Sequence, residues 1–202
     1  MKLRTTALPA VGLLAALLLA GYSGAGSPGE MSGMDHGSSS APADSDTAAD
    51  FNNADVAFAM GMIVHHQQAI EMSDVLLEKD GVDPDVAELA QTIKDAQQPE
   101  IDTMTTWLDE WGQPTESSGM GGMDHGGMMM SEEDMSALES ATGEEASTLF
   151  LEQMIVHHEG AIDMAETQVA EGQNPNAIAL AEKIIDDQTA EIQRMRDLLG
   201  SS

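Results

Sequence analysis

Two stretches of this chain read almost alike: Met62-Ile63-Val64-His65-His66-Gln67-Gln68-Ala69-Ile70-Glu71-Met72 and Met154-Ile155-Val156-His157-His158-Glu159-Gly160-Ala161-Ile162-Asp163-Met164. Around the first, apolar residues recur at helical spacing, at Val56, Met60, Ile63, Val64, Ile70, Leu76 and Leu77. This predicts a helix from Asn53 to about Lys79. Asp80-Gly81-Val82-Asp83-Pro84 then breaks it, with Asp83 placed to cap a second helix and Pro84 suited to its first position. That second helix runs from about 84 to 111, with Pro99 expected to kink it. The same order returns after the second copy: a long helix from about Glu144 to Ala170, a turn over Gly172 to Pro175 with Asn174 as cap, and a last helix from about 176 to 199 ended by Gly200. The partner helices repeat as well. Leu89, Ile93, Asp95, Gln97, Glu100, Ile101 and Met104 correspond to Leu180, Ile184, Asp186, Gln188, Glu191, Ile192 and Met195.

Each half is therefore a helical hairpin. One hairpin cannot bury its own apolar faces, so the two are expected to pair into an all-α four-helix bundle. Hairpin 53–111 is followed by a Met/Gly-rich linker, 112–130, and by a short capped helix and the second hairpin over 131–199. A helix of roughly 25 residues is about 38 Å long. A linker of about 19 extended residues exceeds that, so a ferritin-like crossover and a plain up-down-up-down bundle are both open.

Composition narrows the function. The chain has 7 Lys and Arg against 36 Asp and Glu, a formal charge of −29. Nucleic-acid binding needs a positive footprint, and this chain has the opposite. Residues 1–25 read as an export signal: Lys2 and Arg4, an apolar run from Leu8 to Ala20 too short to span a bilayer comfortably, then small residues. Leu18-Leu19-Ala20-Gly21 resembles the start of a lipoprotein box, but Tyr22 stands where that box needs Cys. The expected location is extracellular or at the cell envelope, with no stable membrane span in the mature chain. Residues 26–50 have the composition of a disordered Ser/Gly/Met linker. There are 16 Met and no Cys. Thioethers offer a soft ligand that does not form disulfides in an oxidising compartment, although Met also fills helical cores.

Two kinds of candidate metal ligand follow. In the helices, Met62, His65, His66 and Met72 share neighbouring lines of one face, and Met154, His157, His158 and Met164 repeat them. Each histidine pair has a plainer reading as packed imidazole; duplication at matching positions favours a metal role. Outside the helices, Met31, Met34 and His36 match Met120, Met123 and His125, with Met128 following. Thioether and imidazole together suit copper, Cu(I) before Cu(II). A di-iron carboxylate centre needs Glu-x-x-His, and the residues three before His65 and His157 are Met62 and Met154. Glu100 and Glu191, with Gln97 and Gln188, have an inward-facing reading on the second and last helices, but polar residues at the bundle edge are expected over ligands.

The double Met-x-x-His-His and its partner-helix positions resemble domain-of-unknown-function family 305 of bacteria, over about residues 51–199. The resemblance implies a ferritin-like helical fold, export and, for some members, copper binding and resistance. The departure at Glu159-Gly160, where the first half has Gln67-Gln68, is expected to weaken or alter the second site. The combined expectation is a non-enzymatic extracytoplasmic copper-binding protein, buffering or carrying the ion, with copper-handling proteins as candidate partners. The alternatives are a ferritin-like metal-dependent oxidase and an envelope-interaction protein with no metal.

Overall fold

A computed structural model describes residues 50–115 and 129–200. All of these fall in one compact unit, Ser45–Ser202. The elements are α1 (Asn53–Leu77), α2 (Pro84–Glu110), α3 (Glu132–Ser140), α4 (Gly143–Glu171) and α5 (Pro175–Leu199), and there is no strand among the described residues. The caps explain the boundaries. Asn52 and Ser131 each form a capping box, with Asp55 and Asp134 respectively, while Asp83 and Asn174 cap helices that begin with Pro. Helix α2 runs unbroken through Pro99.

Helices α1 and α4 form the central pair; α2 backs onto α1 and α5 onto α4. The pair is antiparallel. At one end Asn52 Nδ2 donates to the Glu171 carbonyl (2.9 Å), and at the other the Asp83 amide donates to Ser147 Oγ (2.9 Å). Helix α2 ends where α1 begins, as the stacked rings of Phe51 and Trp111 show (4.8 Å between centroids). It follows that α2 and α4 run in the same direction. The connection between them must return along the bundle, so the topology is the single long crossover and not up-down-up-down. Halfway up α1, the Gln68 side-chain amide donates to the Met130 carbonyl (2.9 Å) and accepts from the Met130 backbone N–H (2.8 Å). Helix α3 covers the upper half, and Lys79 Nζ donates to the Glu139 carbonyl there (2.7 Å).

Each hairpin turn is tied down by the N-terminal residue of the opposite central helix. Asp55, fully buried on α1, accepts from Gln168 Nε2 (2.6 Å) and from the amides of Gln173 and Asn174 (3.1 Å) in the α4–α5 turn. Ser147 plays the equivalent part for the α1–α2 turn. There Gly81 and Gly143, both at positive φ (78° and 56°), let the two backbones meet: a Cβ on Gly81 would lie 3.5 Å from the Gly143 Cα.

The apolar interior is not continuous. One cluster holds Met72, Leu76, Leu89, Ile93, Phe150, Met154, Ile192 and Met195; the other holds Phe58, Met62, Ile63, Ile101, Met104, Ala161 and Ile184. On every one of the four long helices, polar side chains stand inward between the two clusters: His65 and His66, Gln97 and Glu100, His157 and His158, Gln188 and Glu191. A polar layer thus crosses the middle of the bundle.

Candidate metal centre

The layer is built from the two central helices outward. His65, His66, His157 and His158 are 0–1 % exposed. His65 and His157 face one another across the α1–α4 contact, with ring centroids 3.7 Å apart and planes tilted by 36°. Next to them, His66 Nε2 lies 2.9 Å from Glu100 Oε2 on α2, and His158 Nε2 lies 2.7 Å from Glu191 Oε2 on α5. A charged carboxylate has no proton to give, so the imidazole donates from Nε2. That leaves the lone pair on Nδ1. In both residues Nδ1 is buried and unpartnered, and both ring nitrogens of His157 are as well. The side-chain amide of Gln97 has neither of its polar atoms bonded, and Gln188 Oε1 is also unsatisfied.

An unsatisfied buried polar atom costs about 1–3 kcal/mol, and this layer gathers several. Native interiors contain few such atoms, so the cluster works against the stability of the metal-free bundle. The carboxylate–imidazole pairs have the form used to orient metal-bound histidine: the carboxylate holds one nitrogen so that the other points at the ion. Imidazole nitrogens held in this way would suit a metal ion, and fully buried methionines stand in the apolar clusters on both sides of the layer. Among the described residues, no three His, Cys, Asp or Glu side chains converge as a ready-made ligand group.

Electrostatics favour the neutral form of two of these imidazoles, His66 and His157. Burial pushes the pKa of His66 below the usual histidine value against the opposing pull of Glu100. Burial lowers that of His157 well below the usual value, and the neighbouring His65, His158 and His66 lower it further. Burial acts to raise the pKa of Glu100, but the hydrogen bonds from His66 and Lys183 outweigh it and hold the carboxyl below its ordinary value. Neutral imidazole is the ligating form.

The structure brings some sequence candidates together and leaves others apart. Met62 is fully buried in one apolar cluster, with Met164 half-buried against it. Met72 and Met154 are fully buried in the other. Met31, Met34, His36, Met120, Met123, His125 and Met128 lie outside the described residues. Two expectations need correction or extension. Glu100 and Glu191 are not bundle-edge residues: Glu100 is 8 % exposed, Gln97 and Gln188 are 3 % exposed, and both carboxylates hold histidines. Helices that present His at mid-height demand an inward partner at that height, and the repeat had already aligned these positions. Met104 and Met195, absent from the ligand candidates, are fully buried, one in the cluster of Met62 and the other in that of Met154. At the Glu159-Gly160 departure, Glu159 pairs with Arg196 on the surface and Gly160 is buried, whereas in the first half Gln67 is exposed and Gln68 binds the Met130 backbone.

The family model for a domain of unknown function, DUF305, matches residues 55–199. The chain belongs to the DUF305 family. A DUF305 fragment from Deinococcus radiodurans is similar at 30 % identity, covering 75 % of this chain and 98 % of that one, with a TM-score of 0.68. A DUF305 protein from Streptomyces coelicolor, described as a candidate secreted protein, has 36 % identity, covers 76 % and 95 % of the two chains, and gives a TM-score of 0.67. CopM in its Cu(II)-bound form is similar to this DUF305 chain at 32 % identity over 73 % of it and 96 % of CopM, with a TM-score of 0.63. CopM structures with Cu(I) and with Ag are similar as well. None of the curated proteins matches the chain. No helix among the described residues is long and apolar enough to cross a membrane.

Proposed function

We propose that this DUF305 protein binds copper outside the cytoplasm and buffers or carries it as cargo, without catalysing a reaction on it. The observation that carries this reading is the pair of buried histidines, His66 and His158, each held at Nε2 by a carboxylate with Nδ1 left unpartnered beside the packed rings of His65 and His157. Imidazole and thioether donors, with no thiolate available, favour a soft ion, Cu(I) before Cu(II). The similarity to CopM, whose structures hold Cu(I), Cu(II) and Ag, supports the same class of ion. Copper-handling proteins are the corresponding partners, and the leader over residues 1–25 is the basis for the extracytoplasmic location. An oxidase would have to admit oxygen and substrate to its metal. The four central histidines are sealed from solvent, which favours storage over turnover.

The test is an anaerobic Cu(I) titration against a competing chelator. One variant replaces His65, His66, His157 and His158 with Gln. A second replaces the Met and His of residues 31–36 and 120–128 with Ser and Asn. Loss of tight binding in the first variant supports the helical site. Unchanged binding there, with loss in the second, would move the site to the segments outside the helices. No binding in the unaltered protein would sink the copper reading.

A further inference from the structure

The duplication is not exact beside the two carboxylates. Helix positions of α2 correspond to those of α5, so the residue equivalent to Lys183 is Thr92 and that equivalent to Asp187 is Ala96. Lys183 reaches across from α5 to α2, where its Nζ lies 2.9 Å from Glu100 Oε1, and it also holds Asp187 Oδ2 at 2.5 Å. Both oxygens of Glu100 are therefore engaged, Oε2 by His66 and Oε1 by Lys183. Glu191 binds His158 through Oε2 alone, and among the described residues no Lys or Arg pairs with it. Its side chain is 17 % exposed, against 10 % for that of Glu100.

From this geometry we infer that Lys183 closes the first half of the duplicated site, leaving the His158–Glu191 flank as the side where the cation enters and is first held. The inference rests on the copper reading above and deepens it. An ion approaching His66 meets a carboxylate already neutralised by an ammonium group, and the ammonium itself repels it. Asp187 does not restore the attraction, because it is half-exposed and screened by water. An ion approaching His158 meets an uncompensated carboxylate with one oxygen available. That oxygen captures the cation at the rim while the other keeps His158 turned inward. Oxygen and nitrogen donors at one flank suit Cu(II) in particular.

The test uses the full chain and Cu(II) as the probe. His158→Gln should weaken binding several times more than His66→Gln, and Lys183→Gln should tighten binding by about threefold to tenfold by removing a nearby like charge. Thr92→Lys, which places an ammonium opposite Glu191, should weaken it to a similar degree. Because Lys183 and Thr92 are both exposed, neither change threatens the core. The electron paramagnetic resonance spectrum of bound Cu(II) should change in Glu191→Gln and stay as in the unaltered protein in Glu100→Gln. Equal weakening by His66→Gln and His158→Gln, or a spectrum altered by Glu100→Gln alone, would overturn the inference and leave the copper reading standing. Copper binding indifferent to all four of these His and Glu changes would overturn the inference and move the site away from the polar layer, whereas no binding by the unaltered protein would overturn the copper reading as well.

Discussion

His65 on α1 and His157 on α4 pack against each other across the centre of the bundle with ring centroids 3.7 Å apart, and neither ring nitrogen of His157 has a hydrogen-bond partner. A buried, neutral His157 imidazole in that position costs free energy. A packed apolar side chain of similar size would not. His157→Leu should therefore stabilise the metal-free protein by about 1–3 kcal/mol and remove most of the rise in melting temperature that copper confers. Urea unfolding with and without the ion checks both. A less stable metal-free variant would mean that the ring nitrogens are satisfied in solution.

The depressed pKa values of His66 and His157 set a pH dependence. Folded-state values below the ordinary 6.5 mean that the unfolded chain takes up protons the folded chain refuses. Stability of the metal-free protein is then complete above the unfolded value and falls as pH drops through and below 6.5. Glu100, whose folded value is lowered, contributes stability that is lost only further down, in the carboxylate range. Unfolding free energies at about pH 7.5 and about pH 5.5 should show the loss, and His157→Leu should shrink it. A flat profile between those values would contradict buried, neutral histidines.

Core and ligand roles of methionine separate under substitution by leucine. Met62, Met104, Met154 and Met195 are all fully buried. Each change to Leu nearly conserves volume and should cost less than about 1.5 kcal/mol. If the thioethers ligate, the quadruple variant loses Cu(I) affinity far beyond its loss of stability. If affinity holds, these side chains only fill the core.

Asp55 is the joint that fixes how the hairpins meet. It is fully buried and ties the start of α1 to the α4–α5 turn through Gln168, Gln173 and Asn174. Asp55→Ala strands those donors and should cost about 3 kcal/mol or more, while Asp55→Asn keeps part of the network and costs less. Chemical denaturation at neutral pH measures both. A cost below that of an ordinary surface change would show that the turn holds its place without the carboxylate.

The repeated Met-x-x-His-His stretches, the apolar spacing around them and the Asp-Pro and Asn-Pro turns determined the helices and their pairing into hairpins, because capping and amphipathic periodicity are local properties of the chain. Crossover direction was not local. Both topologies fit the linker's reach, and the Asn52–Glu171 and Asp83–Ser147 contacts decided between them. The sequence likewise determined that histidine sits at mid-helix in both halves. Only the tertiary structure decided what those histidines face. Glu100 and Glu191 are ordinary helix-surface residues until α2 and α5 turn them onto His66 and His158, and Lys183 is an exposed cation until the bundle lays it against Glu100. Periodicity assigns a residue to a face. Which charges meet across that face depends on how the helices are rotated against one another, and that is settled by packing of the whole core.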